Sequence, residues 1–293
     1  MVSIDVSVPA LAGPALLHTP GTGVTRGAVV ALHGAAFPRR DQPLFEHLAR
    51  TLGPLGLAVL TYDRRPSVDG SDVPLADQAA DASAALGWLA ERYRLPVGLY
   101  GFSQGAWAAC VVAAERPDLT WLALVGCSGV SPAVQMRFHA DEMLRRAGFD
   151  QSDRDQLSRL RLAVEDVLRG QGDREATGAL LAQAATRPWF PLAYLPPELP
   201  PEDFRWDDLD FDPAPVISRV GCPTLLVYGD QDEAVPADES VRVWRREGSR
   251  ELTVAGLPGC GHLPTTSAPD AESITVEDIS PDYTEALRAF FGG

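Results

Sequence analysis

Short, nearly unbroken apolar runs alternate with longer stretches of helical periodicity, and this alternation limits the possible folds more than any other feature of the chain. The runs are "GAVVALHG" (27–34), "GLAVLTYD" (56–63), "PVGLYGFS" (96–103), "LTWLALVGCS" (119–128), "PTLLVYGD" (223–230) and "ELTVAG" (251–256). A strand with one wet face alternates apolar and polar residues, whereas a strand covered on both faces reads as continuous Val, Leu and Ala. Helical candidates lie between the runs, at 41–52, 74–92, 104–116, 236–247 and 282–291. In the second of these, Leu75, Ala79, Ala82, Leu86 and Leu89 recur at helical spacing and offer one face to a sheet. Repetition of strand, helix and strand implies an α/β architecture, a mostly parallel sheet with helices on both sides. The opening "VSIDVSVPALAGPALLHTP" fits a lead-in hairpin that adds antiparallel strands at one edge.

The alternation stops after about Val130 and resumes near Val216. Within the gap, Leu157, Leu160, Val164, Val167 and Leu168 share one helical face among charged neighbours. The following "RPWFPLAYLPPELPPEDFRWDDLDFDPAPV" combines prolines, which forbid long regular structure, with aromatics that a solvated linker lacks. The expected organisation is a core at 1–130, a helical cap inserted at 131–215, and the second part of the core at 216–293.

A formal charge of −15 disfavours nucleic acid and anionic membranes as partners, because both demand basic patches. Cys110, Cys127, Cys222 and Cys260 show no metal-ligand or paired spacing and read as free thiols of a reducing compartment. "MVSIDVSVPA" has neither the basic stretch nor the apolar run of a signal peptide, and no apolar stretch approaches the roughly 18 residues of a membrane span. The expectation is a soluble, cytoplasmic protein. The sequence holds no phosphate-binding glycine loop, coenzyme fingerprint or metal-ligand cluster, so no cofactor is expected.

Chemistry concentrates at "GFSQG" (101–105), which follows a buried strand and precedes the helix-forming "AWAACVVAAE". This G-x-S-x-G pattern puts Ser103 on a sharp strand-to-helix turn with its hydroxyl projecting above the sheet edge. A serine hydroxyl is a poor nucleophile until a base takes its proton and an acid orients that base. On such a scaffold the partners follow in the order serine, acid, histidine. Only His139 and His262 lie beyond Ser103, and His139 falls in the cap, where it reads as a surface or packing residue. His262, in "LPGCGHLP", is flanked by small residues that let an imidazole enter a site. The acid comes from the end of "TLLVYGD": Asp230 directly follows the glycine turn and reads as loop support, so Asp232 is preferred, with Glu233 third. An acyl-transfer site also needs two N–H donors for the developing oxyanion. Gln104 supplies one and Ala35, in "LHGAAFPRRD", the other, with Ala36 as the fallback. His33 reads as structural, and Arg64 and Arg65 as salt-bridging residues of the "YDRR" loop rather than ligands for a substrate carboxylate.

"LHG" (32–34), "YDRR" (62–65), "GFSQG" (101–105), "GDQDEAVP" (229–236) and "GCGH" (259–262), in this order, resemble the α/β-hydrolase superfamily over both core segments. The style of these motifs is similar to its dienelactone-hydrolase and acyl-peptidase-like branch. The resemblance implies an α/β-hydrolase fold, a Ser103–His262–Asp232 triad, no cofactor, and hydrolysis of esters, thioesters, amides or lactones. The run "YDRRPSVDGSD" departs from the usual "YDRRG-x-G-x-S", and Ala106 and Trp107 stand where relatives often carry a second glycine. Both departures bear on the substrate. Ala36, Phe37, Trp189 and Tyr194 are candidate lining residues for a small-molecule acyl substrate; the cap aromatics, including Phe190, Phe204 and Trp206, equally suit gluing the cap to the core. Two alternatives to hydrolysis stay open: an acyltransferase or cyclase using the same triad, and a non-catalytic ligand-binding protein of the same fold. The sequence gives no indication of oligomeric state.

Overall fold

The structure is a computed structural model that describes every residue except 22, 24, 36–37, 67–71 and 268–272. It divides into two compact units: Met1–Gly129 with Pro213–Asp232 and Ala237–Gly293, and Val130–Asp212 with Glu233–Pro236.

The first unit is built on one eight-stranded sheet. Its strands are β1 (Val2–Val6), β2 (Ala15–Thr19), β3 (Gly27–Leu32), β4 (Leu57–Tyr62), β5 (Val97–Phe102), β6 (Trp121–Val125), β7 (Thr224–Gly229) and β8 (Leu252–Leu257). They lie in the order β1-β2-β4-β3-β5-β6-β7-β8. β1 and β2 form the expected antiparallel lead-in hairpin, and β2 pairs antiparallel with β4. From β4 to β8 every pairing is parallel. Parallel neighbours require a crossover, and the helices supply it. They are α1 (Pro43–Leu52), α2 (Leu75–Tyr93) and α3 (Gln104–Glu115), with α8 (Ala237–Glu247) and α9 (Pro281–Gly292) further along the chain.

Continuous apolar runs become strands buried on both faces: every residue of β3, β4, β5 and β7 is buried. One face carries Val29, Ala31, Val59, Tyr100, Val125 and Val227 against Phe45 and Leu48 of α1 and Tyr283, Leu287 and Phe291 of α9. Alternate residues serve the other face, where α2 packs on β3 and β5, and α3 on β3, β5 and β6. Each fully buried Val, Leu or Phe in such a layer contributes about 1.5–3 kcal/mol. The Tyr283 and Tyr100 hydroxyls meet inside this core at 2.8 Å, so neither polar tip is left unsatisfied. "ELTVAG" differs from expectation. Among the described residues β8 is the last strand of the sheet and has a neighbour on one side only; Val254 is 37% exposed and most of the strand is not buried. Its apolar composition alone resembled that of the central strands.

The second unit holds α4 (Pro132–Arg146), α5 (Gln151–Leu168) and α6 (Arg174–Ala184). Ser131, Asp150 and Asp173 cap them by accepting the N–H of Val134, Asp153 and Ala176. The apolar stripe read at Leu157, Leu160 and Val164 packs against Ala140, Leu144 and Leu181 in a core of the unit's own. The proline-rich stretch after α6 forms a 3-10 turn at Phe190–Leu192 and otherwise irregular backbone. The short α7 (Ala214–Ile217) belongs to the first unit. Among the described residues, no helix is long and apolar enough to cross a membrane.

Candidate active site

Ser103 is the single residue between the end of β5 and the start of α3, with φ 52° and ψ −118°. A non-glycine residue in this region costs about 1–3 kcal/mol and persists only where its surroundings over-determine it. Here its N–H donates to the Val125 carbonyl at 2.8 Å, and its own carbonyl accepts the Ala106 N–H at 2.9 Å. The flanking glycines of the motif have steric causes. A Cβ on Gly101 would stand 2.6 Å from the Gly105 carbonyl oxygen, and a Cβ on Gly105 would overlap the carbonyl oxygen of His33. Only bare backbone lets β5, the start of α3 and the end of β3 approach this closely.

His262 lies in the loop after β8, with its Nε2 2.9 Å from Ser103 Oγ. Its Nδ1 is 3.1 Å from Asp232 Oδ2 and 3.2 Å from Oδ1. Carboxylate oxygens accept, so Nδ1–H donates to Asp232, which leaves Nε2 to accept the hydrogen of the Ser103 hydroxyl. The Asp232 side chain is only 2% exposed and that of His262 17%, so this chain of bonds is largely shielded from water. The loop can reach the site because Gly229 has no side chain; a Cβ there would overlap the carbonyls of Cys260 and Gly261. The Gln231 N–H donates to the Cys260 carbonyl at 2.9 Å. Cys260 is fully buried, and burial pushes its thiol up. Asp230, the other carboxylate at this strand end, instead accepts the Gly259 N–H at 2.8 Å and braces the loop.

The segment after β3 runs beside the serine: a Cβ on Gly34 would stand 3.4 Å from Ser103 Cβ. Ala35 comes next in the chain. Gln104 opens α3, and a first-turn amide has no acceptor within its own helix. His33 is buried against the edges of Phe45 and Tyr62, with ring centroids 4.9 and 5.5 Å away. Burial, reinforced by the Arg64 charge, pushes its imidazole down to about 3, so it is a neutral packing residue at pH 7.

Arg65 forms the ion pair read from "YDRR", with Nε 2.8 Å from Asp81 Oδ2 and Nη2 2.5 Å from Oδ1. Arg64 also has an ion pair, with Nη2 3.7 Å from Asp72 Oδ1, but its hydrogen bonds go to the carbonyls of Gly34 and Ala35 and to the side chain of Gln104. Sequence reasoning missed this role, because two adjacent arginines look alike until the strand end fixes which way each one points.

Ala36 and Phe37 lie outside the described residues. Trp189 and Tyr194 belong to the helical unit. Trp189 is 1% exposed within that unit's core, and its Nε1–H donates to Asp153 at 3.1 Å. Its ring is used in packing within that unit's core. Tyr194 is 62% exposed, with φ 52° and its ring edge-on to His139 at 5.1 Å. The His139 Nδ1–H donates to the Glu233 carbonyl at 3.0 Å.

The profile of the Alpha/beta hydrolase family matches residues 29–273. The chain belongs to the α/β-hydrolase family. No curated protein matches it. Among solved structures, this α/β hydrolase resembles Est1E from Butyrivibrio proteoclasticus, with TM-score 0.58 and 18% identity over 99% of this chain and 97% of that one. It is similar to a dienelactone hydrolase from Anabaena variabilis, with TM-score 0.56 and 18% identity over 99% and 95%. A proline iminopeptidase from Mycobacterium smegmatis gives TM-score 0.55 and 18% identity over 89% and 91%. At such identities the likeness is one of fold.

Proposed function

We propose that this α/β hydrolase is a serine hydrolase that cleaves an ester, thioester or lactone of a small organic acyl substrate through an acyl-enzyme. Ser103 attacks the acyl carbonyl while His262 Nε2 takes its proton, and Asp232 stabilises the resulting imidazolium. The N–H groups of Ala35 and Gln104 hold the tetrahedral oxyanion, each contributing about 3 kcal/mol to the lowered barrier. The imidazolium then protonates the leaving group. His262 next draws a proton from the water that attacks the acyl-enzyme, and returns it to Ser103 Oγ as the bond between the acyl carbon and Oγ breaks and the acid leaves. These steps need neither a metal nor an organic cofactor, nor any partner besides the small substrate.

The observation that carries the reading is the 2.9 Å approach of His262 Nε2 to Ser103 Oγ, with Nδ1 on Asp232 behind it. The strained φ of Ser103 supports it further, since strain at a catalytic turn is retained at a cost in stability. The test combines a fluorophosphonate probe with a panel of esters and thioesters of varied acyl length, run beside Ser103→Ala. Labelling at Ser103 and release of free acid by the wild type alone are expected. A folded wild type that neither labels nor turns over any member overturns the reading. A transferred or cyclised product in place of free acid would move it to acyl transfer with the same triad.

A further inference from the structure

Arg64 lies just past the end of β4, whose sheet neighbour β3 leads into the Gly34–Ala35 segment. Its side chain is 10% exposed, and its ion pair with a carboxylate is a long one, Nη2 to Asp72 Oδ1 at 3.7 Å. Its hydrogen bonds go elsewhere. Nη1 donates to Gly34 O at 3.0 Å and to Gln104 Oε1 at 2.9 Å, and Nη2 donates to Ala35 O at 2.8 Å. Gln104 Nε2 in turn donates to Asp72 Oδ2. The Asp63–Arg64 pair also fixes the far end of the same loop. Arg64 N–H donates to Pro38 O at 2.8 Å, and Asp63 accepts Arg40 N–H and Nη1, both at 2.7 Å.

The peptide plane makes this pattern mechanistically specific. The carbonyl of Gly34 and the N–H of Ala35 belong to one trans peptide unit, so they point in opposite directions and turn together. Holding Gly34 O on the guanidinium therefore sets where the Ala35 N–H points. A hydrogen bond received by the carbonyl also polarises the N–H of the same amide and makes it a stronger donor. The second donor, Gln104 N–H, shares its plane with the Ser103 carbonyl, which the Ala106 N–H holds. The side chain of residue 104 is tied to the same Nη1 as Gly34, so one guanidinium joins the segments bearing both donors.

We infer that Arg64 is the positioning residue of the oxyanion hole: it orients and polarises the Gly34–Ala35 peptide and ties it to Gln104, without touching the substrate. This rests on the serine-hydrolase reading and adds a second layer to it. Loss of Arg64 then weakens binding of the tetrahedral state far more than binding of the intact substrate.

The test uses the full-length enzyme and an ester that the wild type hydrolyses. Arg64→Lys and Arg64→Gln are compared for kcat, KM and inhibition by a boronic acid, which forms a tetrahedral adduct with the serine. The expectation is a fall in kcat of at least about ten-fold, with KM changed less than about three-fold, and a matching rise in the boronate inhibition constant. Gln104→Met deletes the side-chain acceptor but keeps the residue 104 amide. It is the second variant should the Arg64 variants fail to fold, and a several-fold fall in kcat at constant KM is expected. An unchanged kcat in any folded variant overturns the inference. So does a raised KM at constant kcat, which would make Arg64 a substrate-binding residue. Wild-type turnover and Ser103 labelling are recorded first: their absence removes the hydrolase reading itself, whereas their presence with an Arg64-insensitive kcat removes only the positioning role.

Discussion

Gly126 lies so close to His262 that a Cβ on residue 126 would stand 2.7 Å from the imidazole Cε1 and 3.1 Å from Nδ1. Gly126 follows β6 with φ 58°, and its N–H donates to the Val227 carbonyl at 2.9 Å, so the backbone there cannot retreat. Gly126→Ala therefore meets two costs: a positive φ that alanine adopts poorly, and a clash that only displacement of the imidazole relieves. The expected result is a loss of about 1–2 kcal/mol in stability and a fall in kcat on the order of 100-fold, since a displacement near 1 Å suffices for that. Steady-state kinetics beside urea denaturation checks it. A variant of wild-type kcat would mean that residue 126 does not constrain the base.

Ser103 bears strain that glycine would not. Ser103→Ala keeps a Cβ at φ 52° and ψ −118°, whereas Ser103→Gly removes it. Relief of about 1–3 kcal/mol exceeds the roughly 0.5–1 kcal/mol that glycine's extra freedom in the unfolded chain takes back. Both variants lose turnover, but Ser103→Gly should unfold at the higher temperature of the two. Differential scanning calorimetry of the pair decides the matter, and equal melting temperatures would show that the elbow is unstrained.

Those glycines illustrate how much was legible in the chain. The parallel sheet followed from apolar runs because burial on both faces removes polar alternation, and β3, β4, β5 and β7 are buried throughout. β8 defeated the same argument, since its edge position depends on what pairs beside it and not on its own residues. At the site, local geometry carried the reading. Gly101 and Gly105 mark the close approach around Ser103, and Asp232 was preferred over Asp230 for its reach. Gly126 went unread and Arg64 was read only as a salt-bridging residue, because each also acts on a segment far away in sequence. A glycine directly after the apolar run, in "LVGCSG", was the available signal for the first. Trp189 is ambiguous in sequence because the same aromatic surface suits a ligand or a core; the structure shows its place in a core.

His33 and His47 give the fold an acid limit. Burial, aided by the charge of Arg64, pushes His33 down to about 3; burial, with the charges of Arg288 and Arg50, pushes His47 down to about 4. Both lie below the ordinary 6.5 of an imidazole, so in the window between, the unfolded chain binds protons that the folded chain refuses. Stability then rises with pH, and it is lost as pH falls from about 6.5 toward 3–4, by at most about 1.4 kcal/mol per pH unit for each group. Urea denaturation at a series of pH values should show this slope, and His33→Asn should flatten it. A free energy of unfolding that is level between pH 7 and 4.5 would rule the account out.

Asp230 and Asp232 stand two residues apart at the end of one strand, and exchanging each for asparagine separates what they do. Asp232 receives the Nδ1–H of His262. An asparagine there can turn its NH2 toward the ring, forcing the proton onto Nε2, where it faces Ser103 and blocks proton acceptance. The expected loss in kcat is about 10⁴-fold, with the fold intact. Asp230 accepts the Gly259 N–H at 2.8 Å and makes no part of the path between imidazole and serine. An asparagine carbonyl can keep that bond, so Asp230→Asn should leave kcat within about three-fold and cost about 1 kcal/mol or less, the difference between a charged and a neutral acceptor. Kinetics alone would not exclude general damage to the loop in Asp232→Asn, so fluorophosphonate labelling is measured as well. Proton removal from Ser103 limits that reaction too, and the labelling rate should fall alongside kcat in Asp232→Asn and hold in Asp230→Asn. The reverse order would assign the acid to Asp230 and require the loop to rearrange before each turnover.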